Sequence, residues 1–151
     1  MVQDSPLSET DQLILKLLQK DAKLSNAQLA EHTGLAPSTC HGRVRALERA
    51  GYITGYHASV NLEKIGLEVQ ALISLRVRQE YKSNFTQLMQ RLSQHEEVRR
   101  IYLTSGDQDL LVEVAANSVA GLRNYIGTKL SPEPAVASNQ TRIIFESWER
   151  F

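Results

Sequence analysis

The stretch Thr33–Ile53, TGLAPSTCHGRVRALERAGYI, reads as a tight turn followed by one amphipathic helix. Gly34 marks the turn, and Pro37 suits the first helical position, where its missing N–H removes a donor that no helix satisfies. Gly51 is placed to end the helix in a left-handed conformation. Apolar residues recur at i, i+4 and i+7, the spacing of one buried helical face, at Cys40, Val44 and Leu47. The stretch therefore predicts the turn and second helix of a helix-turn-helix.

The opposite side of this predicted helix is small, polar or cationic and carries Ser38, His41, Gly42, Arg45 and Arg49. Such a face fits the major groove of DNA. Arg45 leads the candidates because a guanidinium binds guanine O6 and N7 bidentately. Contacts to phosphates are predicted for Arg43 and Arg49. Contacts to base edges are predicted for Ser38, Thr39, His41 and Arg45. On this element alone, an ordinary amphipathic surface helix is the alternative.

Two further helices are predicted upstream, over Leu7–Lys20 and Leu24–His32. The second begins with an S-x-x-Q capping box formed by Ser25 and Gln28. In a helix-turn-helix this helix crosses the DNA backbone. Ser25 and Asn26 are therefore predicted to lie near a phosphate, and capping by Ser25 is compatible with that role.

The region after residue 50 predicts the end of the first domain. Tyr52–Val60 alternates and is rich in β-prone residues, which predicts a strand leaving a winged-helix-like unit of three helices. The resulting domains are a helix-turn-helix at 1–60, a linker at 61–68 and a second domain at 69–151. The predicted third helix has one irregularity: its N-cap position falls on Ala36, which has no side-chain oxygen.

The second domain shows strand and helix patterns in the order β-α-β-β-α-β, which predicts a ferredoxin-like sandwich and an α+β fold class. The expected strands are Val69–Val77, Val98–Leu103, Leu110–Ala115 and Ser138–Glu146, and the expected helices contain Phe85–Leu92 and Val119–Leu130. Both helices should cover one face of the sheet. The other face carries Leu72, Tyr102, Ile144 and Trp148, and we expect a second copy of the chain to cover it.

Composition narrows the function classes. The chain has 151 residues and zero formal net charge, so it does not coat nucleic acid by charge alone. One cysteine excludes an internal disulfide framework, and four histidines show no ligand spacing, so no metal or cofactor is expected. Cys40 and His41 are adjacent on the predicted helix and do not face each other, so no catalytic residue is assigned. No segment resembles a signal peptide or a membrane span, which predicts a cytoplasmic location.

Nearly the whole sequence resembles the family of the leucine-responsive regulatory protein and AsnC, the feast/famine regulators. The resemblance rests on Leu7 and Asp11, Ile14-Leu15, Leu17-Leu18-Gln-Lys-Asp21, Ser25-Asn26-Ala27-Gln28-Leu29-Ala30, Gly34-Leu35, Arg43-Val44-x-x-Leu47-Glu48-x-x-Gly51-x-Ile53-x-Gly55-Tyr56, Ile65-Gly66-Leu67, Gly106-x-x-Asp109 and Thr141.

This resemblance implies a sequence-specific transcriptional regulator of double-stranded DNA. It implies a homodimer that closes further into octamers or other dimer-of-dimers assemblies. It also implies that an amino acid or similar small effector binds between C-terminal domains, with contacts from Thr104, Ser105, Gly106, Asp107, Asp109 and Thr141. Asp109 is the expected acceptor for an effector ammonium, and an aspartate that only caps its own turn is the alternative.

Two other function classes compete with a regulator. A small-molecule-binding sandwich whose helix-turn-helix contacts proteins is supported by the balanced charge of residues 1–60, which contain six Lys/Arg and six Asp/Glu. An enzyme on the ferredoxin-like domain would need a nucleophile–base pair or a metal site, and the sequence shows neither pattern.

Overall fold

The computed structural model describes residues 7–148. The chain divides into two compact units, one ending at Ser59 and the other spanning Val60–Trp148. Within the described residues, no helix combines the length and apolar character needed to cross a membrane. The units correspond to a helical module and an α/β module, and each is described separately below.

The first unit contains the three predicted helices, α1 (Glu9–Lys20), α2 (Asn26–Thr33) and α3 (Pro37–Arg49). The Ser25 side chain accepts a hydrogen bond from the Gln28 amide, and the Gln28 side chain accepts one from the Ser25 amide. The predicted capping box is thus confirmed. These two reciprocal bonds satisfy amide donors that the first turn of α2 leaves without a partner inside the helix.

Glycines end α2 and α3. Gly34 has φ of +71° and Gly51 has φ of +78°, conformations that cost an L-residue with a side chain. After α3 the amide of Tyr52 donates to the Leu47 carbonyl at 2.9 Å and closes the helix end. The N-cap of α3 is Ala36, which makes no side-chain capping bond, as the sequence predicts.

The core of the first unit lies where the three helices meet. Ile14 of α1, Leu29 of α2, and Cys40 and Leu47 of α3 are all buried. Thr33 packs at the same place, with its Oγ1 atom 3.4 Å from the sulfur of Cys40. The predicted apolar stripe of α3 therefore faces inward, and the side opposite it is exposed to solvent.

The predicted strand at Tyr52–Val60 is wrong. No strand forms in this segment, and the side chains of Tyr56 and Val60 are exposed. Alternation creates a strand only when a neighbouring edge supplies hydrogen bonds. Within residues 7–148, no strand pairs with this segment, so its β-prone composition is not expressed as a strand in the single chain.

The second unit is a four-stranded antiparallel sheet with strand order β2-β3-β1-β4. Its elements are β1 (Val69–Val77), α4 (Phe85–Leu92), β2 (Val98–Leu103), β3 (Leu110–Ala116), α5 (Val119–Tyr125) and β4 (Val136–Ile144). The predicted ferredoxin-like order is confirmed. Some bounds differ: a turn of π-helix at Ile126–Leu130 follows α5, β3 ends one residue later than predicted, and β4 begins and ends two residues before its predicted bounds.

The two helices cover one face of this sheet. Leu88 and Leu92 of α4, with Leu122 and Tyr125 of α5, pack against the inward residues of β1 and β3, Ala71, Ile73, Leu75, Val77, Leu110, Val112, Val114 and Ala116. Side chains on a strand alternate between faces, which is why the odd-numbered residues of β1 form this core. The even-numbered residues of β1 form the opposite face.

The opposite face is partly apolar. Leu72 lies between Glu113 of β3 and Arg142 of β4, and the strand registers place Tyr102, Leu111 and Ile144 on the same face. Tyr102 retains 40% exposure. β4 ends at Ile144, so Trp148, which is 89% exposed, lies beyond the strand and is not part of the sheet face as predicted. We call Leu72, Tyr102, Leu111 and Ile144 the outer sheet face.

Candidate nucleic-acid interface and ligand-binding loop

The exposed side of α3 presents a narrow stripe of small and cationic residues. At about 100° of rotation per residue, the stripe spans about 60° of the helix circumference, centred opposite the buried residues. All of its members are exposed: Ser38, Gly42, Arg45 and Arg49. We call these four residues the reading face. Thr39 and His41 are also exposed and lie on either side of it.

Gly42 lies midway along the length of this stripe, and among the described residues no neighbouring atom requires a glycine there. A Cβ atom built at Gly42 would meet no atom within 4 Å. Glycine in a helix interior costs about 1 kcal/mol relative to alanine. The free chain therefore tolerates a less favourable residue at a position where a side chain would fit.

The N-terminus of α2 lies beside one edge of the reading face. The side-chain amide of Asn26 is 3.2 Å from Nδ1 of His41, which joins α2 to α3 at the surface. The hydroxyl of Ser25 is engaged with Gln28 in the capping box. The structure thus brings Asn26 and His41 together, and it gives Ser25 the capping role.

Arg43, for which the sequence predicts a phosphate contact, is hydrogen-bonded to residues near the start of α1. Its guanidinium Nη1 donates to Oδ1 of Asp11 at 2.9 Å and to the Ser8 hydroxyl at 3.3 Å. The residue lies on the flank of α3 that faces α1, because it is one position away from the buried stripe. Arg43 therefore ties α3 to the N-terminus of α1, which gives it a structural role that the phosphate prediction did not include.

The C-terminal half of α3 has its own polar contacts. Arg49 Nε donates to the Arg45 carbonyl one turn earlier. The Tyr56 hydroxyl donates to Glu48 at 2.9 Å, so the segment after α3 is fastened to the helix. Burial and the nearby Glu48 carboxylate raise the pKa of Tyr56. This bond occupies the only carboxylate on α3, which leaves Arg45 and Arg49 as the dominant charges of the reading face.

The predicted effector loop joins β2 to β3. Its ends are closed by the Thr104 amide, which donates to the Asp109 carbonyl at 2.9 Å, and by the Thr104 hydroxyl, which donates to the Gln108 carbonyl at 3.0 Å. Gly106 has φ of +107°, and Ser105, Gly106 and Asp107 are exposed. The loop is thus a closed turn with a polar, accessible tip.

Asp109 is engaged at both carboxylate oxygens. Oδ2 accepts the Val77 amide at 2.8 Å, and Oδ1 accepts the Lys82 ammonium at 2.7 Å. Burial opposes ionisation, but the bonds from Lys82 and Val77 and the nearby charge of Arg76 outweigh it and lower the pKa of Asp109. The turn-capping alternative expects the Asp109 carboxylate to bond within its own loop. Its two partners lie elsewhere: Val77 is on β1 and Lys82 follows that strand. Sequence reasoning missed Lys82, which is 27 residues away and carries no local signal.

Thr141 is not adjacent to the loop within one chain. It lies on β4 opposite Ile73, and β1 stands between β4 and β3 in the sheet. Because Ile73 points toward the helices, its cross-strand partner Thr141 shares that side. Five predicted effector residues are therefore grouped in the loop, and the sixth is separate from them.

The described part of the chain shows neither a metal-binding cluster nor a nucleophile–base pair at Cys40 and His41. Across residues 7–148, His, Cys, Asp and Glu do not form a group of three or more that could hold a metal ion. Cys40 is buried beside Thr33, whereas His41 is exposed beside Asn26. These two neighbours occupy different environments and do not form a nucleophile–base pair.

Comparisons with known families match both units. Residues 7–54 match the family model described as winged helix-turn-helix DNA-binding. Residues 70–150 match the model described as the Lrp/AsnC ligand binding domain. The first match contains the reading face, and the second contains the loop from Thr104 to Asp109.

Curated relatives match nearly the whole chain. The HTH-type transcriptional regulator AldR of Mycobacterium tuberculosis is 36% identical over 145 residues, which cover 96% of this chain and 81% of the relative. The leucine-responsive regulatory protein of Escherichia coli K12 is 31% identical over 140 residues, which cover 93% and 85% respectively.

Solved structures share the fold along the chain. The feast or famine regulatory protein of M. tuberculosis complexed with L-methionine has a TM-score of 0.86 and 25% identity, with 95% of each chain covered. A transcriptional regulator from Neisseria meningitidis, also in complex with L-Met, has a TM-score of 0.87 and 25% identity, covering 95% of this chain and 93% of that chain.

Proposed function

Because this chain belongs to the Lrp/AsnC family of DNA-binding transcriptional regulators, we propose that it reads its operator through α3 and responds to an amino acid at the loop between β2 and β3. Base contacts are assigned to Ser38, Thr39, His41 and Arg45, and phosphate contacts to Arg49 and to the N-terminus of α2 at Ser25 and Asn26. Such a role places the protein in the cytoplasm with its DNA.

The reading face of α3 is the observation that carries this proposal. It places Arg45 and Arg49 on one stripe with Ser38 and with Gly42, where the absent side chain lets the groove approach the helix backbone. Arg45 lies midway along the length of the stripe and is exposed, so it can reach a base edge, whereas Arg49 is held against its own helix near the C-terminal end. A groove-facing guanidinium reads sequence, and one near the rim contacts phosphate.

The ligand-binding part of the proposal rests on the loop from Thr104 to Asp109. The Asp109 carboxylate would receive the ammonium of a zwitterion, and the exposed tip supplies the Ser105 hydroxyl and the Gly106 amide for its carboxylate, with Asp107 beside them. Two relatives bear L-methionine in their solved structures. Because Thr141 is separated from the loop by β1, we propose that a second copy completes the site.

Assembly follows from the outer sheet face. Leu72 and its apolar neighbours expose a surface that a second copy covers, giving a dimer with two reading faces. We propose further association of dimers into an octamer or a related assembly. Two reading faces predict a palindromic operator whose half-sites lie about one helical turn, about 34–36 Å, or a multiple of it apart.

DNA binding by two arginine variants tests the central part of the proposal. The DNA upstream of the protein's own gene is titrated with wild type, Arg45→Ala and Arg49→Ala at low and moderate salt. We expect Arg45→Ala to cost about 1–3 kcal/mol and to relax specificity at one base position. Arg49→Ala should weaken all sequences equally and reduce the salt slope by about 1.

The controls separate the alternatives. A uniform loss across all sequences in Arg45→Ala would make Arg45 a phosphate contact instead. If wild type shows no affinity for any DNA fragment above its non-specific level at low salt, the unit is a protein-contact module. The same titrations with each standard amino acid test the effector. Unchanged DNA affinity and unchanged assembly mass with all of them would rule out an amino-acid response.

A further inference from the structure

The carboxylate of Asp109 already holds an ammonium group from its own chain. The Lys82 Nζ atom lies 2.7 Å from Oδ1, and the remaining oxygen accepts the Val77 amide. The Asp109 side chain is 14% exposed and that of Lys82 is 35% exposed. The pair is therefore partly withdrawn from solvent, where a charge-assisted hydrogen bond is stronger than at an open surface.

An amino acid would bring the same chemical group to this place. Its α-ammonium and the lysine ammonium each carry one positive charge and three N–H donors. Two such cations beside one partly buried carboxylate would repel each other, and Arg76 already adds positive potential there. The two ammonium groups are therefore alternatives at Asp109 and not additive partners.

We propose that Lys82 acts as an internal competitor that an amino-acid effector must displace from Asp109, so that Lys82 sets both the affinity and the ligand specificity of the loop. This inference rests on the proposed effector site. A carboxylate ligand without an ammonium group does not compete with Lys82 and is not penalised by it.

Displacement would also change the connection between β1 and α4. Lys82 directly follows a short 3-10 turn at Gln79–Tyr81, and α4 begins at Phe85 after its cap Asn84. The pair with Asp109 fastens this connection to the loop. Binding of the effector at Asp109 therefore breaks the ion pair that holds the connection between β1 and α4 to the loop. Effector occupancy is thus linked to a conformational change in this connection.

The test compares two ligands on the full chain. Wild type, Lys82→Met and Lys129→Met are titrated by calorimetry with L-methionine and with its des-amino analogue, 4-(methylthio)butanoate. Lys129→Met is the matched control because it removes a comparable ion pair, between Lys129 and Glu97 at 2.8 Å. We expect Lys82→Met to bind L-methionine about tenfold more tightly than wild type, the worth of one charge-assisted hydrogen bond.

The analogue decides whether the gain belongs to the ammonium group. It should bind wild type and Lys82→Met equally, and Lys129→Met should match wild type with both ligands. Equal affinity of wild type and Lys82→Met for L-methionine overturns the inference. An equal gain with both ligands overturns it as well, because the ammonium would then play no part. The inference is also overturned if Lys82→Met does not bind L-methionine.

Two checks keep the result interpretable. Circular dichroism and melting temperature verify that the variants fold, and Lys82→Gln, which keeps a polar side chain, replaces Lys82→Met if that variant does not. The proposed function stands or falls separately. A wild type whose DNA binding responds to any amino acid retains its regulator role even if Lys82→Met behaves as wild type.

Discussion

The three arginines of α3 have the same side chain and three different surroundings. Arg43 is paired with Asp11 and Ser8, Arg49 lies against its own helix, and Arg45 is exposed on the reading face. A guanidinium paired with a carboxylate attracts a phosphate less strongly than an unpaired one, because the carboxylate offsets its charge. We therefore propose that the surroundings, and not the residue type, make Arg43 a structural residue and leave Arg45 and Arg49 as the DNA contacts.

Arg43→Met should lower stability without changing the electrostatics of DNA binding. Because the pair with Asp11 is partly exposed, we expect a loss of no more than about 1 kcal/mol in the free energy of unfolding. Urea unfolding measures this loss. Arg49→Met is the control, with unchanged stability and a reduced salt slope of DNA binding. A reduced salt slope in Arg43→Met would return Arg43 to the phosphate contacts.

The same variant has a defined pH dependence. The hydrogen bond from Ser8 holds the pKa of Asp11 below its usual 3.8 against the opposing effect of burial, and Arg43 adds to that effect. A lowered folded-state pKa gives stability that is present above the unfolded pKa and is lost as the pH falls through the folded value. The stability difference between wild type and Arg43→Met should therefore shrink as the pH is lowered from about 7 toward about 2.

Helix α3 contains two residues that disfavour helix formation, Ala36 at its N-cap and Gly42 in its interior. Gly42→Ala should raise the free energy of unfolding by about 0.5–1 kcal/mol, because glycine loses more backbone entropy on folding and the methyl group meets open space. We expect the same variant to bind DNA more weakly, since the methyl group enters the space the groove occupies. Thermal unfolding and DNA titration check the two effects.

Ala36→Ser provides the matched control for that result. A serine at this position would cap α3 and add about 1 kcal/mol of stability. It lies at the start of the helix and leaves Gly42 unchanged. If both variants weaken DNA binding equally, extra helix stability itself is the cause. If Gly42→Ala is more stable and binds DNA as wild type does, the glycine has no role in the interface.

Local signals account for most of the elements that the sequence predicts. The capping box at Ser25, the left-handed residues Gly34 and Gly51 and the alternation of β1 all act within a few residues, so the sequence alone reveals them. The strand at Tyr52–Val60 failed because pairing is a non-local requirement. The partners of Arg43 and Asp109 escaped for the same reason: each pair joins residues about thirty positions apart, 32 and 27 respectively.

The outer sheet face should determine whether two chains associate and, through that association, the affinity of the protein for DNA. Leu72→Glu places a carboxylate between Glu113, which repels it, and Arg142, which can pair with it, and the added charge opposes face-to-face association. We expect sedimentation to show a smaller species than wild type. Loss of paired reading faces should weaken operator binding by about a hundredfold or more.

The control for that variant is Gln90→Glu, which adds the same charge on the exposed surface of α4, on the other side of the sheet. It should keep the mass and DNA affinity of wild type. A wild type that sediments as a single chain would contradict the assembly, as would a Leu72→Glu variant of unchanged mass.

The buried sulfur in α3 has a practical consequence. Cys40 is the only cysteine of the chain, and it is fully buried between α2 and α3. A thiol reagent can modify it only when these helices separate, so its labelling rate in dilute buffer reports the opening equilibrium of this unit alone. Operator DNA should therefore slow the labelling of Cys40. An amino acid bound at the loop between β2 and β3 should change that rate only if the second unit is energetically coupled to the first.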